Sequence, residues 1–160
     1  MENLIRLSSG LSAKDCSRAR ISYFAPAMTA AKDSIELEGL RVTVDDIVYQ
    51  DNAVTPPNLP HCFAYFISIH NNSDRVVTIK GRKWVVRSDA GDTVAVEGDG
   101  VVGQFPTIAP GARFSYNSFH LFQGRFAVAE GSYLGADEEG QRVLVRIPPF
   151  KMVVPGAGGD

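Results

Sequence analysis

The sequence predicts an all-β fold: an antiparallel two-sheet sandwich of about seven strands. Three observations carry that prediction. Polar and apolar residues alternate from Leu40 to about Pro155, β-branched and aromatic residues crowd the alternating runs, and short polar turns rather than helical patterns separate them. With 160 residues, 44% hydrophobic and 21% charged, the chain is long enough to bury a core without covalent staples.

The elements follow in order. Residues 1–39 lack a sustained period and read as an N-terminal extension packed on the main domain, with a short helix over 12–20 capped by Ser12. The sandwich domain is placed at 40–155. RVTVDDIVYQ alternates through Val42 and Val44. CFAYFISIHNN is the clearest strand, with Phe63, Tyr65, Ile67 and Ile69 on one face and Ala64, Ser68 and His70 on the other. After the turn Asn71-Asn72-Ser73-Asp74 comes VVTIKGRKWVVRS, whose internal Gly81 predicts a bulge. Asp89-Ala90-Gly91-Asp92 turns the chain into TVAVE. ARFSYNS, GRFAVAEGSYLG and QRVLVRI complete the set, the last running through Pro148-Pro149 into FKMVVP. The glycine-rich tail, 156–160, is expected to be flexible.

Composition narrows the function. Net charge is −2 and no nucleic-acid-reading motif is present, so no nucleic-acid partner is expected. No apolar run reaches the roughly 20 residues of a membrane-spanning helix, and the start lacks a signal-peptide core, so no membrane insertion and a cytoplasmic location are expected. Cys16 and Cys62 alone imply neither a disulfide framework nor a thiolate metal site.

The stretch EGDGVVGQFP holds Gly98, Gly100 and Gly103 in the G-x-G-x-x-G spacing of dinucleotide-binding loops. That fingerprint works by delivering a phosphate to a helix N-terminus. Here Pro106 and Pro110 follow closely and would interrupt a helix, so the glycines are read as backbone geometry where the chain crosses between sheets. An anion nest, which needs no helix, stays open beside that reading. It would use Lys80, Arg82 or Lys83 as cationic contacts to phosphate or pyrophosphate. Arg82 shares a face with Trp84, a core anchor, and so is expected near the margin of the sheet, where its charge is not buried. His61, His70 and His120 lack metal-site spacing and read as surface or packing residues. Cys62 reads as a small buried hydrophobe.

A resemblance overlays these residues. WVVRSDAG, then VEGDGVVG, then PTIAPGARFSYNS is similar to the signature of the ApaG family, with Trp84, Asp89, Pro110, Gly111 and Tyr116 at its structural positions. The aromatic strand from Phe63 to Asn71 and the late Gly131–Tyr133 pair agree with it too. Departures are Lys83 before the tryptophan, Ser88 with Asp89 one residue late, and Gln104-Phe105 before the proline. The resemblance implies an immunoglobulin or fibronectin type III-like sandwich and no defined catalytic set. It also implies a link to cobalt and magnesium efflux or resistance, and a protein-binding role in eukaryotic relatives. Given that cation link, the acidic tip Asp137, Glu138 and Glu139 is a candidate metal contact.

The expectation is therefore a non-enzymatic module without a cofactor. It would bind another protein of unspecified identity or a ligand, and exposed strand edges also allow a homodimer. The alternative is a phosphate-ligand sensor or hydrolase using the glycine turn.

Overall fold

In the computed structural model, which describes residues 33–157, every regular element is a strand. The helix expected over 12–20 lies outside the described residues. Seven long strands match the alternating runs: β2 (Leu40–Tyr49), β3 (His61–Asn71), β4 (Val77–Ser88), β5 (Thr93–Asp99), β7 (Arg113–Phe122), β8 (Phe126–Asp137) and β9 (Arg142–Val153). Two short pieces, β1 (Ile35–Glu36) and β6 (Thr107–Ile108), complete the set.

One sheet runs β1-β9-β8-β4-β5, with β6 also on β4, and the other runs β2-β3-β7. All long strands pair antiparallel, whereas β1 joins the edge of β9 in parallel, Ile35 opposite Val143. Ile35 and Glu36 fall within the stretch read as an extension, yet they are sheet residues here. Arg146 Nε holds Glu36 at 2.7 Å, and Leu37 packs on the core.

Alternation explains the core. Phe63, Tyr65, Ile67 and Ile69 of β3 point inward and meet Ile79, Trp84 and Val86 of β4 and Val143, Val145 and Ile147 of β9 in one cluster. The opposite face of β3 is covered in part. Cys62, Phe119 and Leu121 form a second cluster against Ala53 and Leu59 of the segment joining β2 to β3. The thiol of Cys62 is free of any disulfide and sits in that apolar patch, as a small hydrophobe would.

Three irregularities absorb the residues that a regular ladder rejects. The β4–β8 register shifts between Ile79 and Gly81, at the glycine that predicts a bulge. The β8–β9 register shifts between Ala129 and Gly131, whose partners are Phe150 and Ile147; Pro148 and Pro149 are thereby left out of the ladder and need no amide hydrogen to pair. The β2–β3 register shifts between Val44 and Asp46, which bulges Asp45.

Candidate functional site

The glycine turn lies between β5 and β6, which both pair with β4, so the expectation that it marks a crossing between sheets is corrected: the chain crosses later, between β6 and β7. Val101 and Gln104 exchange both backbone hydrogen bonds, at 2.7 and 2.9 Å. Val102 and Gly103 between them have φ of 43° and 77°. Two successive left-handed residues closed this way make a primed two-residue turn, which suits Gly103 and strains a β-branched residue such as Val102. Gly100 donates its N–H to Lys80 O at 2.8 Å, has φ of 63°, and has no room for a Cβ, which would collide with Gln104 O. The chain then enters β6 and not a helix, so no phosphate-binding helical end exists at this turn.

Arg82 is found beneath the turn. The expectation that it lies at the sheet margin is corrected: its side chain is buried on the Trp84 face, under the backbone of 98–100. Nη1 donates to Asp99 O at 2.9 Å and Gly100 O at 3.1 Å. Gly98 is glycine because a Cβ there would stand 2.8 Å from that same nitrogen. These charge-assisted bonds to backbone carbonyls help to make the burial tolerable. The guanidinium thus ties the turn down from inside. Lys83 points to the opposite face of β4 and faces Glu97 at 3.7 Å, while Lys80 is exposed. The three cations named with the glycines are therefore not gathered on one side of the turn, and the N–H groups of Gly100, Val101 and Gln104 are spent within the chain. Beside the turn, Phe105 stands 55% exposed.

Trp84 anchors a buried aromatic and polar nucleus. Its ring lies 4.9 Å from Tyr65 and 4.5 Å from His120, centroid to centroid, and Tyr65 stacks on His120 at 4.6 Å. Burial drives the His120 pKa down to about 3, so the imidazole is neutral at physiological pH. Burial likewise pushes the Tyr65 hydroxyl up to about 12, opposed by the neighbouring Ser118 and the Arg82 charge. Tyr65 Oη faces Ser118, Tyr116 and Trp84 without reaching hydrogen-bond geometry. Tyr116 and Tyr133 bond hydroxyl to hydroxyl across the two sheets, and burial raises both well above the usual phenol range. His120 and Tyr65 give no local sign of this role. Only their placement opposite Trp84 in the folded sheets produces it.

The remaining signature residues hold turns. Asp89 Oδ1 accepts from Arg125 N at 2.7 Å and Phe126 N at 3.3 Å, and Oδ2 from Arg125 Nε at 2.9 Å. The Arg125 amide, above all, lowers its pKa. Pro110 and Gly111 form a turn in which Gly111, at φ of 83°, donates to Asn71 O at 2.7 Å. The Asn71 amide nitrogen reaches Arg75 O and Ile108 O, both at 2.7 Å, which welds that turn to the end of β3.

The acidic tip is divided. Asp137 is buried: Oδ1 accepts from Glu139 N and Gln141 N at 2.9 Å, and Oδ2 from Arg75 Nη1 at 2.9 Å. Those backbone donors and Arg75 outweigh desolvation and lower its pKa. Glu138 and Glu139 stay exposed. Among the described residues no three His, Cys, Asp or Glu side chains converge to hold a metal ion. His61 meets Tyr49 Oη at 3.1 Å and His70 meets Thr43 Oγ1 at 2.9 Å.

Comparison with known proteins extends this geometry. The profile of the ApaG domain matches residues 52–136. Protein ApaG of Deinococcus radiodurans is 42% identical over 98 residues, 61% of this chain and 77% of that protein. Protein ApaG of Shewanella sediminis is 34% identical over 129 residues, 81% of this chain and 98% of that protein. Among solved structures, a Bordetella pertussis protein described as ApaA superposes with a TM-score of 0.67 at 28% identity, covering 76% of this chain and 98% of its own.

Proposed function

This chain belongs to the ApaG family, and from that premise we propose that it is a non-enzymatic, cytoplasmic module that binds another protein through the rim of its glycine turn. One observation carries the reading: the turn is fixed from within by Arg82 and by its own hydrogen bonds, and it presents the exposed ring of Phe105 three residues after the strained Val102, which itself packs on the core. An aromatic side chain on a fixed backbone is the usual kind of interface anchor. Strain at Val102 costs folding free energy, and a residue kept in such a conformation is a sign of a functional surface. In this reading the link to cobalt and magnesium efflux, implied by the family resemblance, acts through the bound protein.

The test is affinity capture from native lysate with the intact chain and with Phe105→Lys. The wild type is expected to recover a stoichiometric protein partner, and the variant to lose it while melting at the same temperature. Recovery of the same partner by both, or of none by either, would contradict the proposal.

A further inference from the structure

On the outer face of the three-stranded sheet, the strand register lines up three basic side chains. Arg41 of β2 pairs with His70 of β3, and His70 pairs with Arg113 of β7. Directly opposed residues lie about 5 Å apart at Cα, so the two arginines flank the imidazole at about 10 Å from each other. Both arginines are exposed, and neither forms an ion pair among the described residues, whereas Arg75, Lys83, Arg87, Arg125 and Arg146 all face carboxylates. The two guanidinium groups are thus unanswered by the described part of the chain and available to an anion.

The next row explains how His70 is held. Thr43 Oγ1 donates to Asp45 Oδ1 at 2.8 Å, and Ser68 Oγ donates to Asp45 Oδ2 at 2.5 Å. Ser68 has then spent its proton, so Ser115 donates to it at 2.7 Å. Thr43 has spent its own, so the 2.9 Å contact with His70 Nε2 requires the imidazole to donate at that nitrogen. Nε2 is therefore committed to the sheet, and Nδ1 meets an oxyanion as a donor only when the ring carries both protons. Asp45, bulged out of the ladder, accepts from Thr43 and Ser68 on the side of the ring away from Nδ1. No serine or threonine hydroxyl here meets a histidine acting as base, so the group does not form a nucleophilic site.

We propose that Arg41, His70 and Arg113 form a binding site for a phosphate-type oxyanion, independent of the glycine turn. Two guanidinium forks, one from each edge strand on either side of the imidazole, suit the oxygens of a tetrahedral anion. The site would take inorganic phosphate or a small phosphate monoester.

The experiment is NMR titration of the full chain at constant ionic strength, reading the His70 ring and the arginine Nε–H signals. The probes are inorganic phosphate and O-phosphoserine. Saturable shifts at His70, Arg41 and Arg113 are expected. Arg41→Ser and Arg113→Ser should each weaken binding by about tenfold, and the double variant should abolish it. Arg142→Ser, which removes an exposed cation from the other sheet, should change nothing. Tighter binding of O-phosphoserine would mark an organic phosphate as the ligand, and equal binding would mark free phosphate. Absence of saturable shifts, their survival in the double variant, or an equal loss in Arg142→Ser would overturn the proposal.

Discussion

The glycine turn and the outer face of the β2-β3-β7 sheet are both built around arginine, and they use it in opposite ways. At the turn, Arg82 is buried and directs its nitrogen at two carbonyls of its own chain. On the outer face, Arg41 and Arg113 are exposed on either side of His70, and neither pairs with a carboxylate among the described residues. A guanidinium answered by backbone is a structural part. One with no carboxylate beside it is a surface awaiting a counter-charge. In the glycine motif the arginine shapes a surface from beneath, whereas in a row invisible to motif reading the arginines are themselves the surface.

Several substitutions would break or sharpen this contrast. The largest effect is expected from Arg82→Ala, which leaves two carbonyls near the core without a donor and removes packing under the turn. A loss of about 3 kcal/mol in urea unfolding is expected. A cost below about 1 kcal/mol would mean that the turn holds itself.

Acidification probes the buried nucleus between the two regions. The His120 pKa lies near 3 in the folded chain, below its ordinary value of 6.5, so the unfolded chain takes up the proton first. The stabilisation is fully present above about pH 6.5 and is lost progressively as pH falls towards 3, by an amount on the order of a few kcal/mol. Asp89 and Asp137 are lowered from 3.8, so their contribution is present above that value and fails below it. A decline between pH 6 and 4.5 therefore belongs to His120, and His120→Phe should flatten it. A flat wild-type profile over that range would remove the histidine from the account.

The smallest effect is expected on the outer face. Arg113→Ser removes an exposed cation that has no ion-pair partner among the described residues and should change stability by no more than about 0.5 kcal/mol. A clear loss of stability would show that Arg113 has a structural partner after all.

How much of this is legible in the sequence depends on whether the cause is local. The seven long strands follow from alternation, and the Gly81 bulge and the buried Trp84 from their position in one run. The turn chemistry of Val102-Gly103 is also local, and the two prolines behind it exclude a helix. The fate of Arg82 is not local, because its acceptors lie at residues 99 and 100, across a strand pair. Alternation places it correctly on the Trp84 face. The rule that an unpaired buried charge is costly then points to the margin, and the carbonyl acceptors that make burial possible are not visible in the run. His120 against Trp84, Tyr116 against Tyr133, and the Arg41–His70–Arg113 row depend on strand register, which no single run encodes.

The claim that Arg82 shapes the glycine turn is tested most directly by a double-mutant cycle on Gly98→Ala and Arg82→Ala. The three atoms nearest to a Cβ at Gly98 all belong to the Arg82 guanidinium, at 2.8 to 2.9 Å, and the residue has no left-handed φ to protect. Gly98→Ala should therefore cost stability in the wild-type background and almost none once Arg82 is alanine. Equal cost in both backgrounds would contradict the account.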